Sequence, residues 1–150
     1  MTEVSRYAGV LAFHDGRVAL VREEYPTWGG AFWNVPSGRV EPDETPAEGA
    51  ARELAEETGL VVAATDLVLV SAVTTTYDGH ESRAWNHAVD VSTGELRVDD
   101  PDGIIREARW FSRDEAVVLL SALPYPPIAE PAVSYLRGTA TPVTTWSFGA

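Results

Sequence analysis

The chain contains no cysteine, which excludes disulfides and thiolate metal sites and is compatible with a reducing cytosol. It contains no lysine either: its 11 basic residues are all arginine, against 23 acidic ones, for a net charge of −12. A surface that acidic repels polyphosphate backbones, so tight binding of long DNA or RNA is not expected. No apolar run approaches the roughly 18 residues of a membrane span. Met1 to Arg6 has neither the basic segment nor the apolar core of a secretory signal. A cytoplasmic location with no membrane partner is therefore the expectation. Internal repeats and low-complexity segments are missing as well. What remains is 150 residues, 45% hydrophobic, enough for one domain with a proper core and too few for two ordinary ones. The reading is a single domain over 1–138 and a loose tail over 139–150.

The informative stretch is Gly38 to Leu60. Thr45 is an N-cap with Pro46 at the first helical position and Glu48 three residues on, a capping box. Gly59 suits the left-handed position that stops a helix. The helix is expected from Pro46 to Thr58. At about 100° per residue, Glu53, Glu56 and Glu57 share an arc of roughly 100°. Ala47, Ala50, Ala51, Leu54 and Thr58 fall between about 60° and 160° on the same wheel and form the packing face. Arg52 is the helix's only base. It can pair back to Glu48 or forward to Glu56, but it cannot neutralise all three acids. A solvated acidic face is the bland reading of such a helix. A site for hard cations is the sharp one, because Mg²⁺ takes carboxylate oxygens together with water and substrate phosphates.

The spacing favours the second. Gly38, then Glu44, then Arg52-Glu53-Leu54-x-Glu56-Glu57-x-Gly59-Leu60 resembles the Nudix box at each of its defining positions. The run Trp33 to Gly38 resembles the family's lead-in, except that Ser37 stands where the family usually has Gly, restricting φ at that turn. The run Arg109 to Ala116 resembles the later part of many Nudix domains. The resemblance implies an α/β fold, an α/β/α sandwich around a mixed β-sheet. It implies hydrolysis of a nucleoside diphosphate linked to another group, with Mg²⁺ or Mn²⁺ as cofactor. Glu53, Glu56 and Glu57 would ligate metal, with the Gly38 carbonyl a ligand in some members. Arg52 and Glu44 would help orient the site. A homodimer is compatible with the family.

The general base is open at this stage: a helix glutamate (Glu53 or Glu57), or a later acid, Glu81 or Glu107. Arg22 at the end of a strand is a candidate phosphate ligand, and Trp28 and Tyr77 are candidates to stack on a base. For Trp28 and above all for Trp33, a buried structural role is at least as good a reading. Tyr77 lies seventeen residues past Leu60, the place of a tyrosine associated in the family with dinucleoside polyphosphate hydrolases. Oxidised nucleoside triphosphates are an equal rival, and the proline associated with ADP-ribose pyrophosphatases is replaced by Thr75 and Thr76. Isopentenyl diphosphate isomerisation is rejected, since it requires a catalytic cysteine. The alternative from another class is a non-catalytic, nucleotide-sensing Nudix-like domain; such sensors often lose box glutamates, whereas here every box acid is present.

Elsewhere the pattern predicts strands over Tyr7 to Phe13 and Val18 to Val21, joined at Asp15-Gly16. Tyr25 to Phe32 reads as a loop. Strands follow over Leu67 to Val73 and Ala84 to Val91, with a polar loop from Thr74 to Arg83. Leu96 to Val98 reads as a short edge strand, and Ile104 to Phe111 as a further strand. Ser112 with Glu115 caps a helix to about Ser121, and Ile128 to Leu136 is the last helix. His80 and His87 read as exposed or packed rather than catalytic.

Overall fold

The computed structural model of the protein describes residues 4–138 and 143–149. Strands β1 (Ser5–His14) and β2 (Arg17–Tyr25) form the hairpin that Asp15-Gly16 predicts. Both turn residues take positive φ, 50° and 74°, the two-residue turn whose twist matches paired strands. Strands β3 (Gly30–Asn34) and β4 (Ser37–Arg39) lead into helix α1 (Pro46–Thr58). A second hairpin follows, β5 (Val68–Tyr77) and β6 (His80–Asp90), then β7 (Ile105–Ser112). Helices α2 (Arg113–Ser121) and α3 (Pro126–Leu136) precede the last strand, β8 (Thr144–Gly149).

Among the described residues all eight strands belong to one sheet, in the order β3-β2-β1-β6-β5-β8, with β4 paired to β1 and β7 to β2. The β1–β6 and β5–β8 pairs are parallel and the rest antiparallel. The strand period of two sorts the side chains onto two faces. Ala8, Val10, Ala12 and Ala19 pack in one cluster with Ala50 and Leu54 of α1. Leu11, Phe13, Val18 and Leu20 pack in the other with Ala116 and Leu120 of α2 and Ala132, Val133 and Leu136 of α3. The result is an α/β/α sandwich on a mixed sheet, as expected.

Several boundaries differ from the sequence reading, each for a non-local reason. Strand β2 runs on to Tyr25, and only a single 3-10 turn (Pro26–Trp28) separates it from β3, because β3 pairs with β2 from Asn34 to Gly30. The polar stretch Thr74 to Arg83 is not a loop but the end of a hairpin, turning at Asp78-Gly79. Leu96 to Val98 is not a strand. The Arg97 N–H donates instead to the Thr58 carbonyl at 2.7 Å and the Asp99 N–H to the Glu56 carbonyl at 2.9 Å, satisfying orphan carbonyls at the end of α1. Helix α3 starts two residues early, so Pro131 lies beyond its first turn. Residues 144–149, read as part of a loose tail, form β8 on β5; Trp146 and Phe148, 6.1 Å apart, stack on that strand. The rest of that tail, 139–142 and 150, lies outside the described residues, apart from Val143.

Candidate active site

Helix α1 has the predicted ends. The Glu48 N–H donates to Thr45 Oγ1 (3.2 Å), the Thr45 N–H donates to Glu48 Oε1 (2.8 Å), and Gly59 closes the helix at φ 78°. Glu48 is thereby spent on the cap. Arg52 turns elsewhere: its Nε and Nη2 fork onto the two Glu44 carboxylate oxygens at 2.8 and 3.0 Å. Its Nη1 reaches Glu53 at 2.9 Å and Glu56 at 3.4 Å, and its Nη2 also donates to the Arg39 carbonyl at 2.9 Å. Glu44 further accepts from the Glu41 N–H, and its bond to Arg52 holds its carboxyl below the usual range. One guanidinium therefore ties the loop before the helix to the acids on it.

Strand β4 crosses this acidic face. Gly38 lies so close to Glu53 that a Cβ there would overlap its carboxyl, and a side chain at 38 would force that carboxyl to shift. The Ser37 N–H donates to Glu57 Oε1 at 3.0 Å. Ser37 does not take positive φ, so serine in place of glycine leaves the backbone unstrained. Glu57 is 4% exposed. Burial, and then the charge of Glu53, push its carboxyl up to about 9. Burial also raises Glu53, against the lowering effect of Arg52.

Two acids on this wall were not foreseen. Glu23 of β2 and Asp100 both raise Glu57 through their charge, so they lie near it. Glu23 is itself raised by burial, and it hydrogen-bonds the Tyr25 hydroxyl. The signal for Glu23 was present: a strand continued past Val21 carries Ala19, Val21 and Glu23 on the α1 side by the period of two. Asp100 accepts from the N–H groups of Asp102, Ile104 and Ile105, in the turn that Asp-Pro-Asp-Gly makes.

These are hard oxygen donors with too little positive charge nearby, a set that suits a divalent cation of the Mg²⁺ or Mn²⁺ kind. Among the described residues no three such side chains converge on one point; Glu53 and Glu56 point to Arg52 instead.

Beside this wall is a cavity of about 240 Å³, lined by Tyr7, Gly9, Ser37, Thr75, Asn86 and Tyr125, among others. Ser37 belongs to both, its N–H on Glu57 and its residue on the cavity wall. The Asn86 amide is fixed by donating to Ser71 Oγ at 3.0 Å. The sequence reading did not find this cavity, whose walls come from five separate elements.

Residues 4–134 match the NUDIX domain model. The chain belongs to the Nudix family. Members of the family generally use divalent metal ions. Over 108 residues it is 31% identical to a Mycobacterium tuberculosis protein provisionally named 8-oxo-dGTP diphosphatase 3, covering 70% of this chain and 49% of that one. Over 46 residues it is 50% identical to phosphatase NudJ of Escherichia coli, covering 31% of this chain and 29% of that one. The chain thus spans less than half the length of the curated relatives it matches. A Nudix hydrolase structure from Nitrosomonas europaea superposes with TM-score 0.72 at 18% identity, over 99% of this chain and 80% of that one. A MutT Nudix hydrolase from Burkholderia pseudomallei superposes with TM-score 0.63 at 25% identity, over 88% of this chain and 97% of that one.

The remaining candidates of this Nudix domain lie away from the box acids. Arg22 and Glu107 are paired across β2 and β7, on the pleat side of Leu20, which faces α2, and Glu107 is bound by Arg109 at 2.6 Å. The Trp28 ring stacks on Tyr25 at 4.4 Å and on Tyr125 at 5.8 Å, so a base does not stack there without displacing one of them. Tyr77 stands 81% exposed at the end of β5, two residues beyond the cavity residue Thr75. Trp33 packs edge-on against Phe111, the structural role weighed for it. Glu81 pairs with Arg83 at 2.9 Å. His80 contacts Ser5 Oγ, and buried His87, lowered by desolvation, bonds the Gly9 carbonyl. Among the described residues no helix is long and apolar enough to cross a membrane.

Proposed function

We propose that this Nudix chain hydrolyses the diphosphate link of a small nucleoside diphosphate derivative, with Mg²⁺ or Mn²⁺ bound by Glu53, Glu56 and Glu57 and the Gly38 carbonyl beside them. The observation that carries this reading is the Ser37 bridge: a buried, under-compensated pair of carboxylates adjoins a cavity of about 240 Å³ through one residue. When bound, the metal supplies charge neutralisation for the phosphates and lowers the pKa of a water. The protein's residues do the rest. Arg52 and Glu44 fix the direction of Glu53 and Glu56. The base falls to the helix acid Glu57, which no arginine pairs among the described residues, whereas Glu53, Glu81 and Glu107 are each tied to one. Tyr7, Asn86 and Tyr125 hold the nucleoside. Water adds to one phosphorus, the bridging P–O bond breaks, and two phosphate-bearing products leave.

The name of the M. tuberculosis relative favours oxidised nucleoside triphosphates among the substrates. The test is product release from 8-oxo-dGTP, diadenosine polyphosphates, ADP-ribose, NADH and nucleotide sugars, with and without EDTA. Metal-dependent turnover of one class is expected. Turnover undiminished in EDTA would sink the metal mechanism. Tight nucleotide binding with no turnover would favour the nucleotide-sensing alternative.

A further inference from the structure

Besides Ser37, Tyr25 is a second residue that links the acidic wall to the cavity. Its hydroxyl accepts from Asn34 Nδ2 at 2.8 Å and hydrogen-bonds the Glu23 carboxylate on the acidic wall. The Tyr25 phenol is a hydrogen-bond partner of Glu23, and it opposes the rise that burial gives that carboxyl. Asn34 is buried, and its Oδ1 accepts from the Val35 N–H at 2.7 Å, which locks the amide at both ends. The ring of Tyr25 does something different. It stacks on Trp28 with centroids 4.4 Å apart and planes 26° apart. Trp28 in turn stacks on Tyr125 at 5.8 Å and 27°. Tyr125 lines the cavity and is the N-cap residue of α3.

We propose that Tyr25 is a positioning residue with two separable duties: its hydroxyl aims Glu23 at the metal site, and its ring, through Trp28, holds Tyr125 in the nucleoside wall. This rests on the reading of the acids as a metal site and the cavity as a nucleoside site. Its consequence is a clean division. Tyr25→Phe keeps the three-ring stack and removes only the hydroxyl. Trp28→Ala keeps the hydroxyl and interrupts the stack.

The two ends are read by binding, apart from turnover. Mn²⁺ affinity is measured from the electron paramagnetic resonance signal of free Mn²⁺. Affinity for nucleoside monophosphates is measured calorimetrically in EDTA. Tyr25→Phe is expected to weaken Mn²⁺ binding roughly tenfold, as loss of an outer-shell partner does, and to leave nucleotide affinity unchanged. Trp28→Ala is expected to weaken nucleotide binding roughly three- to tenfold, the worth of an aromatic pair, and to leave Mn²⁺ affinity unchanged. Trp28→Phe should recover most of that loss. If Trp28→Ala does not fold, Trp28→Leu interrupts the same stack with less loss of packing. Wild-type Mn²⁺ affinity in Tyr25→Phe, or equal loss of both affinities in either variant, would overturn the proposal. Wild-type protein that binds neither Mn²⁺ nor any nucleotide would bring down the functional reading beneath it, a failure visible before any variant is made.

Discussion

The Ser37 N–H and the Glu57 carboxylate, 3.0 Å apart, join strand β4 to helix α1 across the acidic face. The bond comes from the backbone, so the side chain at position 37 is not needed for it. Ser37→Gly should therefore leave kcat within about twofold and Tm slightly lower, through chain entropy. Gly38→Ala should behave oppositely, because the new methyl overlaps the Glu53 carboxyl. A Gly38→Ala enzyme with wild-type kcat would show that Glu53 is free to move aside.

Glu56→Gln and Glu57→Gln keep side-chain size and remove charge. As metal ligands they should lose more activity than the roughly 10–100-fold that outer-shell partners cost. Steady-state kcat at saturating Mg²⁺ is the measurement, and near-wild-type values in both variants would refute the metal assignment.

Leu54 is fully buried in the cluster between α1 and the sheet. Leu54→Ala should cost ~2–5 kcal/mol of stability and affect activity only through the unfolded fraction. Urea denaturation with kcat per folded molecule separates the two effects.

Stability without metal should depend on pH in a definite direction. Glu57 has a folded pKa of about 9 against an ordinary 4.5, so the folded state holds the proton more tightly than the unfolded state. Its contribution is complete below its ordinary pKa and is lost as pH rises toward about 9. Glu23 and Glu53, also raised, act in the same direction. Tm in EDTA should fall between about pH 5 and pH 8, and Glu57→Gln should flatten that slope. Saturating Mg²⁺ should flatten it too. A Tm that rises with pH in Glu57's window, and no change in slope for Glu57→Gln, would contradict the burial described for this acid.

Helix α1 was legible to the residue because its signals are local: a capping box, a proline at the first position and a glycine at the stop. The placement of Arg52 was only half legible. Its partners on the helix follow from spacing, but the fork onto Glu44 depends on how the loop folds back. Glu23 was missed because β2 appeared to end at Val21, where the apolar run stops, while β3 and β7 carry the pairing on to Tyr25 and Glu23. The Thr74 to Arg83 hairpin and β8 were missed for the same reason. Their residues are polar or mixed, and partner strands rather than their own composition hold them in the sheet. For Trp28 the sequence leaves stacking on a base and a structural role both open, since it says nothing of Tyr125, ninety-seven positions later, which occupies one face of the ring.

The pairing of β1 with β6 has a consequence for how the chain is made. Tyr7 finds its parallel partner, Ala84, only after another seventy-odd residues have been synthesised. The carbonyls of Glu56 and Thr58 wait longer still, for the N–H groups of Asp99 and Arg97. A nascent chain bearing the whole of Gly38 to Leu60 outside the ribosome thus lacks the strand that completes the centre of its sheet. Loop-closure entropy has to be met before such distant contacts return anything, which slows folding relative to a topology of local contacts. On the ribosome, the buried partners of Leu54 on β1 and β2 are made before it, whereas the far half of the sheet is complete only after β6 ends at Asp90.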